Sequence, residues 1–238
     1  MGLKKTLYWV SFFSIAMGFL ETAVVIYLRK LYYPHGFSFP LQPIDHGVAV
    51  TELWREAATI IMLMAIGKLA GKNKAERFAY FIYSFAVWDI FYYVFLKVFI
   101  NWPESLMTWD ILFLIPVPWV GPVITPVIIA MTLILFALAI IYYSEKHVHV
   151  HLHSGEQLML WMGSIIAIIS FTEDYVRHKG DILMRNLRSG GSLFTDLSSY
   201  VPTYFDWTMF GIGEGIILLS FIVYVKRLSK SIPPAGTI

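Results

Sequence analysis

The sequence predicts an all-α integral membrane protein with about six transmembrane helices in a single polytopic domain, residues 1–238. Three observations support this prediction. First, 58% of the residues are hydrophobic and the mean hydropathy is +0.66, which is far too apolar for a soluble domain. Second, the length accommodates about six spans of roughly 20 residues with short loops. Third, the stretch from Trp88 to Pro126 places Asp89, Asp110 and a cluster of prolines where the composition otherwise indicates hydrocarbon.

The predicted spans cover about residues 6–28, 48–69, 78–99, 123–143, 157–175 and 204–224. The first begins after two lysines and is longer than the apolar part of a signal peptide, without a clear cleavage site, so we expect it to be retained. Ser14, Gly18 and Thr22 recur in it at four-residue spacing, which predicts a face that another helix can approach closely. Glu21 borders this face.

Ionisable residues occur within the second and third spans. Glu52, Arg55 and Glu56 share one helical face, so the acids can neutralise the arginine. This face is either a structural ion pair between helices or one wall of a polar site. Asp89 lies near the centre of the third span, where a carboxylate costs roughly 2.5 to 3.5 kcal/mol and requires a partner, a proton or water. Such acids often mark an ion pathway or a proton relay. The alternative is a structural aspartate that is bound by tyrosine hydroxyls or by an arginine of another helix.

Residues 103–115 are predicted to form a re-entrant or interfacial half-helix. Pro103 and Glu104 suit a first helical turn. Pro116 and Pro118 end the segment after about a dozen residues, so its length near 18 Å falls short of roughly 30 Å of hydrocarbon. Broken backbone at that depth requires protein or water to satisfy its polar groups. Asp110, within this segment, is therefore a candidate cavity residue.

The sixth span carries the spacing of a close helix contact. Gly211 and Gly215 form a GxxxG pair, and Glu214 lies between them. We expect this glutamate to face a neighbouring helix or a cavity rather than lipid.

Two groups of residues are candidate metal ligands. Alternating histidines in the loop before the fifth span would share one face of an extended segment, a pattern typical of zinc, nickel or copper binding, although an ordinary loop is the alternative. These are His147, His149, His151 and His153. Asp174 and His178, one helical turn apart, could also share a metal, and the alternative is an interfacial charged turn.

Several classes of chemistry are disfavoured. All seven histidines lie in loops or at span edges, which argues against intramembrane haem. The absence of cysteine excludes thiolate sites, and no HExxH, GxSxG or P-loop motif is present. The near-balanced charge of +2 argues against nucleic-acid binding. No cofactor is predicted beyond a divalent metal at the histidine-rich loop. The sequence does not favour an enzyme.

Basic residues favour both termini inside. With six spans, ten basic residues lie on the inner side and seven on the outer side, which favours N-in and C-in, and we expect a prokaryotic inner membrane. If residues 103–119 also spanned, the later loops would invert and the two tallies would come out the same, at ten and seven. The charge pattern therefore does not choose between six and seven spans.

The predicted function is movement of a cation, proton or small polar solute through an acid-lined cavity that opens outward. The proposed central groups are Asp89, Asp110 and Glu214, and the surrounding network is Glu21, Glu52, Arg55 and Glu56. One alternative is a non-catalytic subunit of a larger membrane complex, because no internal repeat typical of transporters is visible. Another is a metal-dependent or lipid-active enzyme. The expected partners are the bilayer and either further copies of this chain or other membrane subunits.

Overall fold

The computed structural model describes residues 3–146, 148–186 and 200–231. These residues form six α-helices and one two-stranded sheet. In chain order they are α1 (Leu3–Tyr32), α2 (His46–Ala70), α3 (Lys74–Ile100), β1 (Trp109–Phe113), β2 (Trp119–Pro122), α4 (Ile124–Glu145), α5 (Ser154–Asn186) and α6 (Trp207–Ser229). Five of them, all except α2, are long and apolar enough to cross a membrane. This confirms the prediction of a mainly helical chain, and the membrane assignment rests on helix length and composition.

Helix α2 differs from the other five in its charge rather than its length. It has 25 residues, but Glu52, Arg55 and Glu56 fall within little more than one turn near its start. Both glutamates are buried, so the charged face is turned into the protein.

Neighbouring helices along the chain run in opposite directions. Helices α1 and α3 run parallel, because Ser11 contacts Tyr83 near their starts and Thr22 contacts Tyr92 near their ends. Helix α2 lies antiparallel to α3, since Gly67 near its end packs on residues near the start of α3.

The second half of the chain continues this alternation. Val123, beside the start of α4, packs with residues near the end of α3, so these two helices are antiparallel. Glu156 at the start of α5 bonds Arg227 near the end of α6, which makes that pair antiparallel as well. The ends of the helices therefore lie on two opposite sides of the bundle. We call the end where α1, α3 and α5 finish the cavity end, and the other the basic end.

The predicted small-residue face of α1 is confirmed. A Cβ at Gly18 would lie 3.0 Å from the backbone oxygen of Trp88, and the Thr22 hydroxyl donates to the Tyr92 carbonyl at 3.1 Å. Ser14 is fully buried. Small side chains thus let α1 pack directly on the α3 backbone.

The GxxxG prediction for α6 is wrong. A Cβ at Gly211 or Gly215 would meet nothing within 4 Å, whereas one at Gly213 would lie 2.8 Å from the Ala167 nitrogen. A Cβ at Gly163 on α5 would lie 2.7 Å from the Gly213 carbonyl oxygen. Residues two apart on a helix point to nearly opposite sides, so the close seam uses the glycine between the predicted pair.

The predicted half-helix at 103–115 is also wrong, because residues 109–113 form strand β1. This strand pairs antiparallel with β2, and Asp110 is opposite Gly121. The aromatic and branched side chains of residues 109–113 suit a strand, and the prolines that were expected to end a helix lie in the connecting turn. A Cβ at Gly121 would lie 3.1 Å from both Phe171 and Phe205, so the hairpin packs closely on α5.

Candidate functional site

A cavity of about 360 Å³ lies at the cavity end, between α1, α2, α3 and the hairpin. The loop between α1 and α2 and the end of α5 complete its wall. Met17, Leu63 and Trp88 form a buried cluster with Phe113 packed against it, and Met17 and Leu63 lie one and two turns deeper than Glu21 and Glu56. This apolar cluster borders the deep side of the cavity, and Trp88 belongs to both.

Arg55 joins the acids on two helices. Its guanidinium forms an ion pair with Glu21 of α1, and its Nε donates to Glu52 at 2.7 Å. The next residue, Glu56, accepts a hydrogen bond from the Leu114 backbone N–H at 3.0 Å and so links α2 to the hairpin. The structure therefore brings the four predicted network residues together on one side of the cavity.

Asp110 is held by groups from two other elements. Tyr93 of α3 donates to its carboxylate at 3.1 Å, and the Arg29 guanidinium of α1 lies 3.5 Å from it. Arg29 also lies over the rings of Trp102 and Phe37, at 3.7 and 4.5 Å from their centroids. Burial raises the pKa of Asp110 to about 6, because desolvation outweighs the opposing effects of Arg29, the Tyr93 hydroxyl and the Ile111 N–H.

Asp89 lies on the same face of α3 as three aromatic side chains. Trp88, Tyr92 and Tyr93 line the cavity beside it, at helical spacings that place the four side chains together. Asp89 makes no hydrogen bond or ion pair with any residue that the structure describes, and Asp110 is close enough to repel it electrostatically. The predicted central acid is thus a cavity carboxylate without a protein partner in the described chain.

Acids outnumber bases around the cavity. Among the described residues, the lining contains five carboxylates, on Glu21, Glu52, Glu56, Asp89 and Asp110, and three basic groups, on Arg29, Arg55 and Lys179. With all groups ionised, the site carries an excess of two negative charges. A positively charged occupant would balance this excess.

Glu214, predicted as a central cavity group, lies outside this site. It is 5% exposed between α6 and α4, where Thr132 donates to one of its oxygens. Its second oxygen has no hydrogen-bond partner among the described residues. The face of α6 that carries Glu214 packs on α4, so this carboxylate is separated from the α1–α3 cavity.

The two predicted metal groups remain predictions, since the structure describes them only in part. His149, His151 and His153 are exposed and alternate with the buried Val148 and Val150 and the half-buried Leu152, but no three metal-binding side chains converge among the described residues. His147 lies outside the described residues. Asp174 accepts bonds from Tyr200 and Thr203, at 2.7 to 3.2 Å. The Nε2 of His178 has no partner within the described ranges.

Arg29, Lys179 and the aromatic lining residues of α3 were not predicted as part of the site. Arg29 looked like an ordinary charge flanking the first span, yet its guanidinium turns inward between rings and a carboxylate. The signal available was the WDxxYY pattern, whose polar and aromatic members recur at i and i+4 on one helical face.

Comparisons of this chain with protein-family models, curated proteins and solved structures gave no match.

Proposed function

We propose that this protein binds a cation in the cavity and moves it across a membrane. The observation that carries the proposal is Asp89, a carboxylate on the cavity wall without a partner in the described chain, in a lining with two more acids than bases. A carboxylate near the middle of a membrane helix is costly without a counter-charge, a proton or water. An incoming cation supplies that counter-charge, and protonation of Asp89 offers a route to proton coupling.

The proposal includes α2 as the sixth span. Its 25 residues extend for about 37 Å, which exceeds a hydrocarbon core of roughly 30 Å. Its charged face meets Glu21 and the hairpin rather than lipid, so the charges do not prevent a membrane location. Six crossings place both chain ends on the side with more basic residues, which supports N-in and C-in in an inner membrane and a cavity open to the outside.

The test is uptake of radiolabelled cation by liposomes that contain the full-length protein, with a pH-sensitive dye in parallel liposomes to follow protons. After addition of sodium, potassium or an organic ammonium ion, we expect a flux for at least one of them that Asp89→Asn abolishes. Glu214→Gln is the matched control, because it neutralises a buried carboxylate outside the cavity and should leave the flux intact. If no cation moves, or if Asp89→Asn moves it as fast as the wild type, the proposed function is wrong.

A non-catalytic role in a larger assembly makes a different prediction. In that case the protein would leave its native membrane in mild detergent with other subunits in fixed ratio. Asp89 would then serve as a contact for one of those subunits, and the liposomes would show no flux.

A further inference from the structure

We propose that the cation bound at Asp89 is organic, with a primary ammonium group on a small aromatic or apolar body. This inference rests on the proposed function and specifies its substrate class. It follows from the walls of the cavity, from the surroundings of Asp89 and from the cavity's size.

The walls of the cavity are mainly apolar and aromatic. Beside the acids, the lining contains rings on Phe37, Trp88, Tyr92, Tyr93 and Tyr175. Such walls stabilise an apolar ligand body by burial, and small-molecule sites commonly combine them with a few polar groups that set orientation. A hydrated inorganic ion would gain little from these surfaces.

The carboxylates are not arranged to replace the water of a metal ion. No group of three histidine, aspartate or glutamate side chains in the described ranges is positioned to hold a metal. Glu52 and Glu21 are engaged by Arg55, and Asp110 by Tyr93 and Arg29. A bare divalent ion needs several oxygen ligands, whereas an ammonium group needs one carboxylate and a few further contacts.

The surroundings of Asp89 suit an ammonium group. Trp88 and Tyr92 lie on the same helical face, and the faces of tryptophan and tyrosine rings attract cations. Asp89 would therefore pair with the ammonium, while the adjacent rings enclose it and the first carbons of the ligand.

The cavity volume limits the ligand to a small molecule. Ligand sites commonly measure about 300 to 1,000 Å³, and the volume of about 360 Å³ lies near the lower limit. A single ring on a short alkyl chain fits this range. We therefore choose 2-phenylethylammonium as the probe and 2-phenylethanol as its neutral counterpart of nearly equal shape.

The experiment measures binding of both probes to full-length protein in detergent by titration calorimetry at pH 7. We expect the ammonium to bind and the alcohol to bind at least about tenfold more weakly, because the charge-assisted bond to Asp89 is lost. Asp89→Asn should weaken ammonium binding about ten- to hundredfold. Tyr92→Leu should weaken it severalfold by removing a ring, and Glu214→Gln should leave it unchanged.

The possible results distinguish a failure of this inference alone from a failure of the proposed function. If sodium, potassium or proton flux depends on Asp89 while 2-phenylethylammonium neither binds nor moves, the organic substrate class is wrong and cation movement stands. Equal binding of the amine and the alcohol also overturns the inference. If no cation flux depends on Asp89, both proposals fail. Gel filtration and helical circular dichroism of each variant identify a misfolded protein, and Tyr92→Leu then provides a second test that keeps every carboxylate.

Discussion

Two arginine–carboxylate pairs at opposite ends of the bundle differ in how completely their hydrogen bonds are satisfied. At the basic end, Arg227 donates to both oxygens of Glu156 at 2.8 Å, and the His153 N–H donates to the same carboxylate at 2.8 Å. At the cavity end, Arg29 lies 3.5 Å from Asp110, and its Nη1 has no hydrogen-bond partner among the described residues.

This difference separates a fully hydrogen-bonded structural ion pair from one that is only partly hydrogen-bonded. Glu156 has a full set of partners and joins α5 to α6, so its charge is stabilised without any other molecule. The carboxylates at the cavity end are less completely paired, and Asp89 has no partner in the described chain. Buried charge that the protein itself leaves uncompensated destabilises the empty state, and a bound cation can relieve that cost.

The largest effect on stability is expected when the Arg227–Glu156 ion pair is broken. Glu156→Ala leaves the Arg227 guanidinium without its carboxylate and should lower the free energy of unfolding by about 3 kcal/mol. Thermal unfolding in detergent measures this loss. Arg177→Ala is the control, because it breaks the exposed pair with Glu173 and should cost no more than about 1 kcal/mol. Similar losses in the two variants would contradict the structural role assigned to Glu156.

The second-largest expected effect is a pH dependence of folding stability, which arises from Asp110 at the cavity end. Asp110 has a folded-state pKa of about 6, above the ordinary value of 3.8, so between these values the folded protein binds more protons than the unfolded chain. Stability contributed by this group therefore falls as pH rises from about 4 to 6 and then levels off. We expect the wild type to gain about 1 kcal/mol at pH 5 relative to pH 7, and Asp110→Asn to lack that gain.

Chemical denaturation of both proteins at the two pH values checks this prediction. The quantity to compare is the difference between wild type and Asp110→Asn, in which the contributions of titrating groups distant from Asp110 cancel. An identical pH dependence in the two proteins would show that Asp110 does not titrate as described.

The smallest effect on stability is expected at Asp89. Because this carboxylate has no partner among the described residues, Asp89→Asn should leave the free energy of unfolding unchanged or raise it by at most about 1 kcal/mol. The same thermal unfolding assay as for Glu156→Ala gives a direct contrast between the two ends. A loss as large as that of Glu156→Ala would mean that Asp89 holds the fold together rather than serving a ligand.

The helices were predictable from sequence, and their contacting faces only in part. Long apolar runs identify the helices, and four-residue spacing identified the face of α1 that contains Gly18. The hairpin was missed because five strand residues beside prolines are too few for a clear period of two. The seam of α6 was misassigned because glycines occupy alternate positions from 211 to 215, and spacing alone does not choose between opposite faces.

The sequence indicated which acids to consider for the site, but not how the fold arranges them. Cost arguments directed attention to Asp89 and Asp110, and the fold brings both to one cavity. The same arguments gave Glu214 equal weight, because membrane depth does not reveal which neighbour a helix face meets. Arg29 was overlooked since an arginine at a span end is ordinarily a surface anchor, and only tertiary structure shows it turned inward.

The glycine seam between α5 and α6 also bears on how relatives of this chain could be recognised. A side chain at Gly163 or Gly213 would place its Cβ under 3 Å from the backbone of the facing helix, so neither position accepts alanine without moving the helices apart. Any protein that shares this crossing should keep both glycines, even where its apolar residues have diverged beyond recognition. Two glycines fifty positions apart, together with WDxxYY, are therefore a sparse signature for finding distant members of this fold.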